Sequence, residues 1–239
     1  MGLVPIGRDP DSGLWEFAVV QSGSIPRRDR NGWLRMEGEG GIVLVLIPGG
    51  SFRMGAVCEG DGPVDPLARS DEGPVHLVEL DPFFLSKAEM TRGQWISAGE
   101  EPLSGLYFED ALSHFHAEED HRRLPIEYVT WTQGREVLKR FGLDLPTEAQ
   151  WEYAARGGTT TVWWTGDDPE SLRWAANLAD HSLERAERIE VPLDATDDGY
   201  PHTSPAGTFR VNPFGIWDVQ GNAQEWCLDL YGSYASPTR

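Results

Sequence analysis

Apolar and aromatic residues form a short run near the start of the chain. Residues 13–20, "GLWEFAVV", favour a β-strand, and the pair Asn31–Gly32 in "RDRNGW" favours a hairpin turn. The other positions up to residue 40 are mostly polar. The pattern therefore predicts a β-rich N-terminal extension over residues 1–40.

A second apolar run begins at residue 41, where the mostly polar N-terminal segment ends. It is rich in β-branched residues, "GIVLVLI", and ends at Pro48–Gly49–Gly50 before a short run through "SFRMG". These two runs predict a hairpin at the edge of the main domain. A Gly, Pro and Asp-rich loop then follows at 56–74, and "VHLVEL" at 75–80 predicts another strand.

Three Thr-x-x-Gln patterns mark the starts of helices. In such a capping box, the threonine oxygen accepts an amide hydrogen of the first turn, and the glutamine reaches back to the amide of the threonine. Glycines at 142 and 157–158 end the second and third helices. We therefore predict three short helices, beginning after Thr91 with Gln94, Thr130 with Gln133, and Thr147 with Gln150.

Beyond residue 158 the regular periodicity fades, although tryptophans still indicate a packed core. Asp, Asn and Gly recur in "ANLAD", "DATDDGY" and "DVQGNAQE", and these residue types supply both oxygen ligands and sharp turns. No segment repeats at the period of a solenoid or propeller. The fold class predicted is α+β, loop-rich, with few regular elements and small antiparallel sheets.

The chain is strongly acidic, with a formal net charge of −19 over 239 residues. Residues 1–40 hold six acidic and five basic residues, so the excess belongs to the main domain. Such a field repels nucleic-acid phosphates and anionic lipid but attracts cations. We therefore expect no nucleic-acid or membrane partner, and a divalent metal is the partner to look for.

Targeting and membrane signals are not expected from the pattern. The longest apolar run, Ile42–Ile47, is too short to cross a bilayer, and no basic region precedes an apolar stretch at the N-terminus. The localisation expected by default is cytoplasmic. The two cysteines, Cys58 and Cys227, do not indicate a redox compartment.

The segment "DVQGNAQEWC", residues 218–227, concentrates candidate chemistry. Asp218 and Glu225 could supply charged oxygens to calcium, and Gly221 would let the chain turn back with its carbonyls pointing inward. An ordinary turn with solvated acids is the alternative. The spacing is not that of an EF-hand, so the segment alone does not decide between the two.

The cysteines and histidines carry weaker signals. The alternation of polar and apolar residues around Cys227 predicts a strand, which favours a buried core thiol over a nucleophile. Cys58 lies in an acidic loop, where the neighbouring carboxylates disfavour a thiolate. "HFHAEEDH" contains His114, His116 and His121, but its spacing matches neither a zinc finger nor a helical HExxH site. A solvated surface segment accounts for it better than a zinc site.

Five motifs in order give the chain a resemblance to a known family. They are "IPGGSFRMG", "DEGPVHLVEL", "PFFLSKAEMTRGQW", "LPTEAQWEYAARGG" and "NPFGIWDVQGNAQEW". Together they resemble the formylglycine-generating enzyme, or sulfatase-modifying factor, family. The resemblance implies one domain over residues 41–239, with a loop-rich α+β fold related to C-type lectins and with bound calcium.

Two calcium sites follow from the resemblance. The first would use the Asn177 side chain, the Leu178 carbonyl, the Asp198 carboxylate and the Tyr200 carbonyl. The second would use Asp218, the carbonyls of Gly221 and Ala223, and Glu225, with Asp218 replacing an asparagine of the family pattern.

The resemblance leaves catalysis open. The family's prototype enzymes oxidise a sulfatase cysteine to formylglycine with O2 and copper(I), held by a pair of cysteines after the "GNxxEW" motif. This chain has no such pair, and "YGSYASPTR" stops where similar proteins continue through "RGGSW" and "GFR" segments, so we expect its C-terminal segment to be missing. Two functions are therefore expected. If a longer chain supplies those cysteines, the protein is an oxidase that acts on a sulfatase-like protein or peptide. Otherwise it is a non-catalytic, calcium-stabilised binding or sensing module of a multidomain bacterial protein. Iron-dependent sulfoxide synthases share the fold but need a further histidine-rich domain.

Overall fold

A computed structural model describes residues 2–57, 64–65, 67–101, 118–188, 190, 197–232 and 234. Six β-strands lie before residue 87: β1 Leu3–Arg8, β2 Trp15–Val19, β3 Val43–Ile47, β4 Gly50–Met54, β5 His76–Leu80 and β6 Phe83–Ser86. The described α-helices are α1 Arg92–Ser97, α2 Glu118–Arg123, α3 Trp131–Arg140, α4 Glu148–Arg156 and α5 His181–Glu187. The α+β, loop-rich class predicted from the sequence is confirmed.

The main sheet is antiparallel, with strand order β1-β2-β3-β6. Its central strand β3 is buried along most of its length, because its two faces supply two separate core clusters. Val45 and Ile47 pack with Ala154 of α4, whereas Leu44 packs with Trp95 of α1 and Val137 of α3. The N-terminal strands β1 and β2 belong to this same sheet. The division into an extension over residues 1–40 and a domain over residues 41–239 stays a prediction.

The predicted hairpin of β3 with β4 is wrong. β3 already has two neighbours, β2 and β6, and β4 pairs instead with β5 in a separate two-stranded sheet. Gly49 in the link lies so close to the 80–82 turn that a Cβ there would sit 2.7 Å from the Leu80 carbonyl oxygen. The linking turn therefore redirects the chain into another sheet. The other predicted strands are confirmed, and the Asn31–Gly32 turn joins a bridge between Arg28 and Leu34.

All three capping boxes are present. Thr91, Thr130 and Thr147 each accept a hydrogen bond from the backbone of the glutamine three residues later, and each glutamine side chain bonds back. The number of helices was predicted too low, because α2 and α5 lack this signature. The N-cap of α5 is Asp180, whose carboxylate accepts the Ser182 amide. None of the described helices has the length and apolar character needed to cross a bilayer.

Candidate functional site

A large open cleft runs along one side of the domain. Its volume is about 1340 Å3, and its walls are formed by the 218–227 segment, helix α4 and the stretches 124–129 and 201–203. Three tryptophan indoles hold residues 225–227 in this wall by hydrogen bonds. The indole of Trp151 donates to Glu225 (2.9 Å), that of Trp131 to the Cys227 carbonyl (2.9 Å), and Trp226 itself donates to the Val129 carbonyl (3.0 Å).

The backbone turns sharply over residues 218–222. Asp218, Gly221 and Asn222 all have positive φ angles, of 56°, 77° and 59°. The Asn222 amide donates to the Asn177 carbonyl (2.9 Å), and the Asn177 side chain donates to the Asn222 side-chain oxygen (3.0 Å). The two predicted calcium segments are therefore neighbours, although 45 residues separate these asparagines in sequence.

The first predicted site converges on Asp198. Its two carboxylate oxygens accept the backbone amides of Leu178 (2.9 Å) and Tyr200 (2.8 Å), so the structure brings these three residues together. Burial, together with Asp180 and Asp197, raises the pKa of Asp198 to about 6. The side-chain nitrogen of Asn177 is turned to the His202 carbonyl (2.6 Å). Since the Asp198 carboxylate is satisfied by backbone amides, an ion here stays a prediction.

The second predicted site contains a buried oxygen without a partner. Asp218 is 3% exposed, its Oδ2 accepts the Gly207 amide (2.8 Å), and its Oδ1 has no hydrogen-bond partner among the described residues. Burial raises the pKa of Asp218 to about 6. Glu225 borders the cleft. Desolvation by the surrounding protein atoms, followed by the negative charge of Asp218, raises the pKa of Glu225 to about 7, although the hydrogen bond from Trp151 lowers it.

Sequence reasoning missed a third carboxylate, Glu89. It lies just after β6 and accepts the Asn222 side-chain amide (2.7 Å) and the Ala223 backbone amide (3.1 Å). Burial, then Asp218 and Glu225, raise its pKa well above the usual range for glutamate. No local signal could have found it, because Glu89 and Asn222 lie 133 residues apart.

The donor set of the second site fits calcium. Carboxylates and backbone carbonyls are the hard oxygen ligands that this ion prefers, and an orphaned buried carboxylate oxygen calls for a cation. Among the described residues, no three His, Cys, Asp or Glu side chains are close enough to form a metal site by themselves. A bound ion would therefore depend on the carbonyls of Gly221 and Ala223 as well as on Asp218 and Glu225.

Two of the remaining candidates, His121 and Cys227, lie in the part of the chain that the structure describes, and no metal-ligand cluster there includes them. Cys58, His114 and His116 lie outside the described residues, and His121 lies on α2. The expectation that Cys227 enters a core strand is wrong, because the residue is only half-buried and has no strand partner among the described residues. Burial, followed by Glu148, Glu225 and Asp229, raises the pKa of its thiol to about 12.

Cys227 is consequently expected to react slowly in the folded chain. At pH 8 a thiol with a pKa near 12 has roughly 2000-fold less thiolate than an ordinary cysteine. The greater nucleophilicity of that thiolate recovers part of the difference, so alkylation by iodoacetamide should be about 100-fold slower than in the urea-unfolded chain. Peptide-level mass spectrometry follows Cys227 separately from Cys58. The folded rate should rise as the pH approaches 12, and equal folded and unfolded rates at pH 8 would contradict the burial of this thiol.

Comparisons with known proteins agree with the fold and the motifs. A family profile described as "Sulfatase-modifying factor enzyme 1-like domain" matches residues 39–238. A formylglycine-generating enzyme of Thermomonospora curvata is 28% identical over 231 residues, which cover 80% of this chain and 72% of that enzyme. The serine/threonine-protein kinase pkn1 of Chlamydia pneumoniae is 30% identical over 204 residues, which cover 79% of this chain but 28% of the kinase. The solved structure of PvdO from Pseudomonas aeruginosa matches with a TM-score of 0.54 and 24% identity, over 80% of this chain and 72% of PvdO.

Proposed function

Because the chain belongs to the sulfatase-modifying factor enzyme 1-like family, we propose that it is a calcium-stabilised module that binds a segment of another protein. The observation that carries this proposal is the orphaned, buried Oδ1 of Asp218 in the wall of the open cleft. An ion at this position would hold the 218–225 segment in the shape that the cleft requires.

The calcium part of the proposal rests on the electrostatics of three neighbouring carboxylates. Burial raises the pKa of Asp218, Glu225 and Glu89, and the charge of Asp218 raises the pKa of the two glutamates further, so the folded domain without a cation disfavours the ionised forms. Asp218 and Glu225 would hold the ion with the carbonyls of Gly221 and Ala223. When bound, calcium would add positive charge beside these carboxylates to that of Arg123, which already lowers the pKa of Asp218.

The binding part rests on the size and lining of the cleft. Seven acidic residues and two arginines line it, together with exposed faces of Tyr128 and Trp226, which are 54% and 52% exposed. Its volume of about 1340 Å3 exceeds that of a typical small-ligand pocket. Aromatic faces among acidic side chains suit a peptide segment with apolar and basic side chains.

Calcium removal is expected to lower the melting temperature. At calcium concentrations near one hundred times the dissociation constant, binding adds about 3 kcal/mol, or roughly 5–10 °C for a domain of this size. Glu225→Gln keeps an oxygen for the Trp151 indole but removes the charge, so it should abolish most of this shift and should melt above the original chain in chelator.

Differential scanning calorimetry with calcium and with EGTA measures this shift. Glu136→Gln, on the exposed face of α3, is the matched control and should keep the full calcium response. Identical melting curves of the original chain with and without chelator would defeat the calcium proposal.

The second candidate function is oxidation of a cysteine to formylglycine, favoured by the similarity to the Thermomonospora curvata enzyme. Copper(I) chemistry requires soft thiolates. In the described part of the chain the one free thiol, Cys227, has a raised pKa and acidic neighbours, so these residues do not fit copper(I).

One experiment separates the two functions. A peptide with a Cys-x-Pro-x-Arg sequence is incubated with the calcium-loaded chain, copper(I) and O2, and is then assayed for binding by fluorescence anisotropy and for aldehyde by mass spectrometry. Binding without aldehyde supports the module. Aldehyde formation supports the oxidase, and neither binding nor aldehyde counts against this peptide class as the partner.

A further inference from the structure

A lysine outside the cleft is buried with two carboxylates. Lys87 is 2% exposed, and its Nζ lies 2.9 Å from Asp9 Oδ2 and 2.5 Å from Glu16 Oε1. The side chains of Asp9 and Glu16 are 2% and 0% exposed. The Gly215 carbonyl also accepts a hydrogen bond from Nζ (2.6 Å), and the Trp217 ring lies 4.6 Å away. Bulk water is therefore excluded from an amine in contact with a carboxyl group.

The choice of lysine at this position is informative. The chain has two lysines among its 20 basic residues, and the other, Lys139, is exposed. Arginine is the usual residue for buried ion pairs, and it never deprotonates in proteins. A lysine amine can lose its proton and act as a nucleophile, which an arginine cannot do.

The Asp9 carboxyl group is held in a reactive orientation. Its Oδ1 accepts the amides of Asp11 (3.1 Å) and Ser12 (2.8 Å) and the Ser12 hydroxyl (3.0 Å). Its Oδ2, among the described residues, accepts only from Lys87. Three donors on one oxygen would stabilise a negative charge developing there, while the other oxygen faces the amine and is free to leave.

Glu16 is placed to move protons. Its Oε1 contacts Lys87 Nζ, and Arg28 binds its other oxygen at 2.5 Å while also donating to the Ile6 and Gly32 carbonyls. This carboxylate is therefore fixed against the amine. A carboxylate within hydrogen-bond reach of a reacting nitrogen serves as a general base and then as a general acid.

We propose that Lys87 Nζ and Asp9 Cγ form an intramolecular amide, with Glu16 as the proton shuttle. The ammonium gives one proton to Asp9 Oδ2, and the neutral amine attacks Cγ while Oδ1 takes the negative charge. Glu16 then removes a proton from the nitrogen and passes it to Oδ2, which leaves as water. The ammonium and carboxylate become one amide and one water, with no oxidant or other reactant.

The resting state before reaction is the ion pair. Burial pushes the pKa of Asp9 upward, but the hydrogen bonds from Ser12 and the attraction of Lys87 outweigh it and lower the pKa. The first proton transfer is therefore the unfavourable step, and the reaction is a slow, single event in the folded chain. The product would join the end of β1 to the end of β6, the two edge strands of the main sheet.

The intact mass of the purified, denatured full chain tests the proposal. The original chain is expected to be lighter than its sequence by the mass of one water. Lys139→Met should keep this loss, and Lys87→Met should show none. Dehydration of an aspartate to a succinimide also loses water, but that loss would survive in Lys87→Met and would overturn the proposal.

Tryptic peptides locate the bond without any variant. A branched species should join peptide Asp9–Arg27 to peptide Ser70–Arg92, with no cleavage after Lys87. Asp9→Asn should form the same amide with loss of ammonia instead of water. Full mass of the original chain, together with a free peptide ending at Lys87, would overturn the proposal.

Discussion

Gly221→Ala is expected to destabilise the domain by about 3 kcal/mol or more, since a non-glycine residue at positive φ costs about 1–2 kcal/mol and overpacking adds about 1–3 kcal/mol. Gly221 has φ +77°, and a Cβ there would lie 2.0 Å from the Asn177 carbonyl oxygen. That oxygen accepts the Asn222 amide, which ties the two predicted calcium segments together. The substitution should therefore disrupt both segments at once.

Gly199→Ala is the matched control for this clash. Gly199 lies in the same region with φ +89°, but a Cβ there would meet nothing within 4 Å. This substitution should lower the free energy of unfolding only by the cost of a non-glycine residue at positive φ, about 1–2 kcal/mol. Urea unfolding followed by tryptophan fluorescence measures both variants. Equal losses would show that the approach of Gly221 to Asn177 does not matter for stability.

Asn212→Ala is expected to cost about 3–4 kcal/mol, because it leaves several buried backbone groups unsatisfied and each costs about 1–3 kcal/mol. Asn212 is 1% exposed. Its side chain donates to the carbonyls of Ala154 (2.6 Å) and Ala155 (3.2 Å), and accepts the amides of Phe214 (3.0 Å) and Ile216 (3.1 Å). One amide group thus joins the end of α4 to the turn beneath the Lys87 cluster.

Asn31→Ala serves as the control for Asn212. Asn31 is exposed at the N-terminal hairpin turn, so removing its side chain should change the free energy of unfolding by less than about 0.5 kcal/mol. Since α4 carries Trp151, which holds Glu225, Asn212→Ala should also weaken the calcium response. A loss for Asn212→Ala no larger than that for Asn31→Ala would contradict its structural role.

Local chemistry accounts for the elements that could be predicted from the sequence. A capping box involves side chains and amides within four residues, so Thr91, Thr130 and Thr147 predict helix starts without knowledge of the rest of the chain. The partner of a strand is not local. The turn at Pro48–Gly50 is compatible with a hairpin, and only the placement of β2, β5 and β6 assigns β3 and β4 to different sheets.

The candidate site divides in the same way. The oxygens of Asp218 and Glu225 and the turn at Gly221 stand within eight residues, so they could be proposed from one short segment. The third carboxylate beside them, Glu89, comes from the residues just after β6 and adds a further negative charge to the site. The orphaned Oδ1 of Asp218 exists only because the fold buries that side chain while supplying a donor to its other oxygen alone.

By itself, the sequence determined the starts of three of the five described helices, most of the strands, the acidic character and the family motifs, because each depends on neighbouring residues or on composition. The tertiary structure alone decided the sheet order, the approach of Asn177 to Asn222, and the burial of Lys87 with Asp9 and Glu16. These features depend on contacts between residues far apart in the chain. Burial then changes the chemistry of such groups, because removing water alters the pKa of a carboxyl group and brings an amine and an acid into direct contact.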